Sequence, residues 1–152
     1  MLDGVRISDL RKREDERGFF CELFRRDWKE LIGGDEIAQT SLSVSRPGVV
    51  RAWHRHARGQ IDYLVVMQGI VKVGVFDEET GGLDEVVLRG ERPQILRIDG
   101  RYWHGTKNIG EEDSWTLYMM TMLYDYQGPD EARLPPDSER IVDPRTRRPY
   151  RW

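Results

Sequence analysis

Residues 70–76, Ile-Val-Lys-Val-Gly-Val-Phe, alternate strictly: Val71, Val73 and Val75 on one side, Lys72 and Gly74 on the other. A period of two belongs to a strand with one buried face. The pattern has neighbours. A strand is expected over 62–67, across Gly69, and an acidic loop over 77–82 ends in Gly81-Gly82, as a hairpin requires, before a strand over 85–88. Further strands are expected over 19–24, 38–45, 49–56 and 94–98, and a long, aromatic, Met-rich core strand over 114–126. Pro47-Gly48 makes a turn, and Gly33-Gly34 closes one short helix over 28–32. Many short strands at this spacing predict an all-β sandwich or barrel with one or two short helices.

At 152 residues the chain suits a single domain with a real core. The barrel domain is expected over 1–128. Beyond Gly128 the composition shifts: Pro129, Pro135, Pro136, Pro144 and Pro149 exclude continuous regular structure, and Arg145, Arg147, Arg148 and Arg151 crowd the last eight residues. Residues 129–152 are therefore expected to form a tail packed on the barrel or on a partner subunit. Charged residues make up 34% of the chain, yet the net charge is only −3 with signs interspersed, which argues against nucleic-acid binding. No apolar run reaches membrane-spanning length and the N-terminal sequence lacks a signal-peptide stretch, so a cytoplasmic protein is expected. Cys21, the one cysteine, permits neither an intrachain disulfide nor a cysteine-based zinc site and is read as a strand residue.

Three histidines carry the chemistry. His54 and His56 stand two apart on an expected strand and so share a face; His104 follows a later strand. In a barrel all three can face one cavity. Two chemistries suit them. One is a metal site: Gly48, His54, His56 and Gln60, then Gly100, His104 and Asn108, resemble the two cupin metal motifs, with Gln60 where an anionic glutamate is usual. The other is metal-free general base catalysis, since an imidazole easily accepts a proton at working pH.

Several motifs then converge. Asp15-Glu16-Arg17-Gly18-Phe19-Phe20-Cys21-Glu22-Leu23-Phe24 resembles the D-x-R-G-F-F-x-E-x-F opening of the dTDP-4-dehydrorhamnose 3,5-epimerases. Gln39–Ser45 with Val49-Val50-Arg51-Ala52-Trp53-His54 resembles their Q-x-N-x-S-x-S and V-L-R-G-L-H block, His104-Gly105 their second His-Gly step, and Tyr118 with Tyr124 their paired tyrosines. The resemblance spans roughly residues 10 to 144. It implies a cupin-like jelly-roll β-barrel and an epimerase of a dTDP-linked 4-keto-6-deoxyhexose that works without a cofactor. By the same resemblance, His54 is the base that removes the proton beside the C4 ketone, Tyr118 the acid on the other face, and Arg51 the contact for phosphate or oxyanion. It makes Arg17, Phe19, Glu22 and Gln39 holders of the nucleotide, with Ser41, His56, Gln60, His104 and Tyr124 also at the substrate. It also implies a homodimer sharing part of the site.

The chain departs from that family at four places. Asp62 stands for a lysine, Ser41 for an asparagine, Ala52 for a glycine and His56 for a glutamine. The family's late aspartate, which orients the base, has no counterpart before Trp152. Asp62 is accordingly expected to orient a histidine, with Arg51 or protonated His56 facing the oxyanion. Arg51-Ala52-Trp53-His54-Arg55-His56 with Gln60 is also similar to the block of nucleotide-sugar 3,4-ketoisomerases. Three alternatives therefore stand beside epimerisation: ketoisomerisation, a divalent-metal cupin enzyme using His54, His56, Gln60 and His104, and a sugar-binding cupin without chemistry.

Overall fold

The structure, a computed structural model, describes residues 1–152. The strands are β1 Arg6–Asp9, β2 Lys12–Asp15, β3 Gly18–Cys21, β4 Gln39–Ser45, β5 Val50–Arg55, β6 Ile61–Gln68, β7 Ile70–Phe76, β8 Leu83–Arg89, β9 Gln94–Asp99, β10 Trp103–Asn108, β11 Ser114–Met120, β12 Ala132–Arg133, β13 Val142–Asp143 and β14 Arg148–Pro149. One helix, α1 Lys29–Ile32, lies between β3 and β4. Two five-stranded sheets form, ordered β1-β9-β6-β11-β4 and β12-β5-β10-β7-β8. Their pairings are antiparallel throughout. This is the all-β jelly roll expected, with one helix. No helix is long and apolar enough to cross a membrane.

The period-two pattern of β7 places Val71, Val73 and Val75 between the sheets, against Leu64 and Val66 of β6 and Leu96 and Ile98 of β9. The intervening β6 residues Tyr63 and Val65 point the other way, into a second core with Leu31 and Ile32 of α1, Ile95 and Met119. Strand β6 is thus buried on both faces, and its near-continuous apolar run follows. Asp62 sits two residues before Leu64, on the face turned toward the other sheet.

Strand β11 stops at Met120, six residues short of the expected end at 126. Its neighbours run out there: Met120 pairs with Asp62 near the start of β6 and with Gln39, the first residue of β4. Leu123 and Tyr126 are exposed beyond it. The aromatic content of 121–126 therefore belongs to a loop. The tail folds back on the second sheet. Strand β12 pairs with β5, and Ile141 and Tyr150 bury with Trp53, Phe76 and Trp103 in a third core, joined by Trp152.

Candidate active site

A cavity of about 230 Å³ opens between the two sheets at one end. His54, His56 and Arg51 reach it from β5 and its end, His104 and Thr106 from β10, Asp62 and Leu64 from β6, and Tyr118 from β11. The three rings lie together: centroids are 5.6 Å apart for His56 and His104, and 6.3 Å for His54 and His104. A larger groove of about 940 Å³ runs along β1, β2 and α1, but it holds none of the histidines. Convergent polar groups, rather than size, mark the smaller cavity as the site.

Simple alternation would turn Arg51 away from His54. Between the pairs His54↔His104 and Arg51↔Thr106, β5 advances three residues and β10 only two. The extra residue is a β-bulge, and it brings Arg51 onto the cavity side. There its Nε donates to Ser45 Oγ at 2.8 Å. The two strands are closely set at this point. A Cβ on Gly105 would lie 2.4 Å from the Ala52 Cβ, so glycine is required.

Each histidine has its own partners. His54 Nε2 lies 3.4 Å from Glu131 Oε1, and both side chains are mostly buried. Burial, aided by charge at His104, Arg133 and His56 and opposed by Glu131, pushes the His54 imidazole down to about 4. It is therefore neutral, and able to take a proton, at neutral pH. His56 donates from Nδ1 to the Asp130 carbonyl at 2.5 Å, and His104 from Nδ1 to the Tyr102 carbonyl at 3.0 Å. Burial lowers the His56 imidazole, but the Asp62 carboxylate outweighs it and holds the ring above its ordinary value. Burial likewise opposes ionisation of Asp62, yet His104 and His56 hold its carboxyl well below the usual range. Gln60 Nε2 donates to Asp62 Oδ1 at 2.7 Å. Across the cavity, burial raises the Tyr118 phenol against the pull of the Thr106 hydroxyl.

Asp62 is thus placed against His104 and His56 rather than against His54. The carboxylate beside His54 is Glu131, which the sequence reading did not single out. Strand β12 brings it there through the pairs Ala132↔Arg55 and Arg133↔His54. Asp130 adds to this: its carboxylate accepts from the Ala57 and Arg58 amides and pins the tail across the end of β5. The acidic pair Asp130-Glu131, set in a proline-rich segment, was the available signal.

Other expected residues are distributed differently. Tyr124 lines the cavity from the loop after β11. Gln39 and Ser41 lie on the same side of β4 as Ser43, which lines the cavity, and Gln39 accepts from the Tyr124 amide at 2.9 Å. Arg17, Phe19 and Glu22 are not brought to this cavity. Arg17 and Phe19 are exposed on the β2–β3 hairpin, which pairs with no other strand, and Glu22 follows it, paired with Arg25. Of the aromatic residues other than Tyr118 and Tyr124, Trp53 and Trp103 pack under the tail, Tyr63 under α1, and Tyr102 in the inter-sheet core.

A family model described as "Polysaccharide biosynthesis C-terminal domain" matches residues 13–132. The chain is 43% identical over 141 residues to the "Probable low-salt glycan biosynthesis epimerase Agl13" of Haloferax volcanii, covering 90% of this chain and 89% of that protein. It is 38% identical over 146 residues to the "Spore coat polysaccharide biosynthesis protein SpsL" of Bacillus subtilis, covering 93% and 94%. Among solved structures, the dTDP-6-deoxy-D-glucose-3,5-epimerase RmlC of Legionella pneumophila, in complex with dTDP-4-keto-L-rhamnose, superposes with a TM-score of 0.81 at 26% identity, covering 92% of this chain and 77% of that one. With this sequence match, this fold and this histidine-lined cavity, the chain belongs to the polysaccharide biosynthesis C-terminal domain family, on the jelly-roll fold of the nucleotide-sugar 3,5-epimerases.

Proposed function

We propose that the chain epimerises a dTDP-linked 4-keto-6-deoxyhexose by removing and returning a proton beside the ketone. The observation that carries this reading is the opposition of His54 on one sheet and Tyr118 on the facing sheet within one cavity. Inversion needs a base on one face of the sugar and an acid on the other. His54 is neutral near pH 7 and fits the base; Tyr118, its phenol held protonated by burial, fits the acid. Glu131 orients the His54 ring and stabilises the imidazolium that forms, the part first assigned to Asp62. Arg51 faces the enolate oxygen or the phosphates. The keto substrate itself comes from the names of the relatives, above all the complex with dTDP-4-keto-L-rhamnose.

The proposal extends to a cytoplasmic homodimer. The β2–β3 hairpin supports it: Phe19 and Phe20 are 61% and 64% exposed, and Arg17 stands beside them without a contact to the cavity of its own chain. The nucleotide would then lie between a cavity of one chain and a hairpin of the other.

The test is incubation with dTDP-4-keto-6-deoxyglucose in D2O, read by NMR at C3 and C5. Deuterium entering at either centre, and lost in His54→Asn, is the expected result. No entry above the enzyme-free rate would remove epimerisation of this substrate. His56 and Gln60, adjacent in the cavity, favour 3,4-ketoisomerisation as the second reading. Loss of the C3 hydrogen with a new ketone there and deuterium at C4, and none at C5, would select it.

A further inference from the structure

Glu131 owes its place beside His54 to a segment with little hold of its own. Strand β12 is two residues long, and both Ala132 and Arg133 are exposed. So short an edge pairing contributes little by itself. Two ties flank it. On one side the Asp130 carboxylate accepts from the Ala57 and Arg58 amides, and its carbonyl accepts from His56 Nδ1. On the other, Trp53 and Leu134 exchange both backbone hydrogen bonds: the Trp53 amide donates at 2.8 Å and the Leu134 amide at 3.0 Å.

The second tie leads away from the cavity. Trp53 directly precedes His54 on β5, and its side chain is fully buried under the tail. Its ring centroid lies 4.7 Å from that of Trp152 and 5.4 Å from that of Tyr150, and the latter two rings meet edge to face at 5.3 Å. The sheet leaves room for this stack because position 74 is glycine. A Cβ there would lie 2.9 Å from the Trp53 ring and 3.1 Å from the Trp152 ring. Polar contacts fasten the stack. Tyr150 Oη donates to Glu85 Oε1 of β8 at 2.8 Å, and Lys107 Nζ of β10 donates to the Trp152 carbonyl at 3.1 Å. Lys72 Nζ stands over both rings, 5.1 Å from that of Tyr150 and 5.6 Å from that of Trp152.

The tail therefore grips Trp53 by its backbone and by its ring, and the next residue on the strand is the base. A close-packed interior transmits displacement from one side of such a contact to the other. We propose that Trp152 and Tyr150 are positioning residues for His54: their stack on Trp53 holds Leu134 on β5 and so sets the Glu131 carboxylate against the imidazole. Neither residue lines the cavity. The effect on turnover rests on the epimerase reading; the grip on β12 does not.

The experiment uses the full chain with Trp152→Ala, Trp152→Phe and Glu131→Gln, and with Trp152→Ala and Glu131→Gln combined, each checked for folding by circular dichroism. Trp152→Leu, a milder truncation, takes the place of Trp152→Ala if the latter does not fold. Amide hydrogen exchange comes first and needs no substrate. In Trp152→Ala the Trp53 and Leu134 amides are expected to exchange about 10-fold faster or more, while the Leu64 and Val73 amides of the inter-sheet core keep their protection. Turnover of dTDP-4-keto-6-deoxyglucose is then compared. Trp152→Ala should lower it by about 3- to 10-fold, because the Asp130 tie remains, and Trp152→Phe should restore most of the loss. In the Glu131→Gln background the same truncation should cost nothing further, as expected when two residues act through one contact. Unchanged exchange at Trp53 and Leu134, or an equal rise in the core strands, overturns the grip. Faster exchange there with wild-type turnover, or with the same fold-loss in both backgrounds, overturns the action through Glu131. Faster exchange there with no proton chemistry in the wild-type chain supports the grip and removes the epimerase reading.

Discussion

The two ends of the space between the sheets are built from the same strands and serve opposite ends. On β6, Leu64 and Val66 close against Val71, Val73, Leu96 and Ile98 in an apolar cluster. Two residues earlier on the same face, Asp62 meets two histidines and a glutamine. Burying a carboxylate is costly unless it is paired, and here Gln60 serves one Asp62 oxygen while His104 and His56 flank the other. The closed end supplies stability through area removed from water. The open end spends part of it to hold ionisable groups where a ligand can reach them.

The contrast yields an ordered set of expectations. The largest effect falls at the base: His54→Asn should lower turnover by about 10³-fold, within the range for a general base, and leave the melting temperature near that of wild type. Leu96→Ala, at the fully buried end, should do the reverse. It should cost about 2–5 kcal/mol in chemical denaturation, with turnover per folded molecule retained. Equal effects of both variants on stability would erase the distinction between the two ends.

Glu131→Gln comes next. Turnover should drop by about 10- to 100-fold through misorientation of the ring. Glu131 also pulls the His54 pKa up. Its removal should therefore move the acid limb of kcat/KM downward, a shift that loss of packing alone does not give. In wild type the base works only when neutral, so the rate falls as pH falls through its pKa. That limb is expected near pH 4 rather than near 6.5. The smallest effect belongs to Arg133→Ala. Its side chain is 68% exposed beside Glu131, and an exposed pair contributes about 0–1 kcal/mol.

Local pattern announced the barrel because period-two alternation and glycine-marked turns act within a few residues. Strand β7 and its hairpin with β8 stand where Val71, Val73, Val75 and Gly81-Gly82 put them. The His54–His56 pair on one face was legible for the same reason. Three features were not. The end of β11 depends on where β4 and β6 begin, which lies far away in sequence. The turn of Arg51 into the cavity depends on a bulge fixed by pairing with β10, not by β5 itself. Glu131 reaches His54 only because β12 adds to the edge of β5, a contact spanning more than seventy residues. Trp53 and Trp103 bury in a core that the tail completes with Ile141, Tyr150 and Trp152.

In the proposed mechanism, His54 and Tyr118 work on opposite faces of one sugar ring. The most direct measurement compares deuterium exchange with epimer formation in Tyr118→Phe and His54→Asn, using the same keto sugar in D2O. Tyr118→Phe is expected still to exchange the hydrogen beside the ketone while forming little inverted product, and His54→Asn to do neither. Exchange at the wild-type rate in His54→Asn would contradict it.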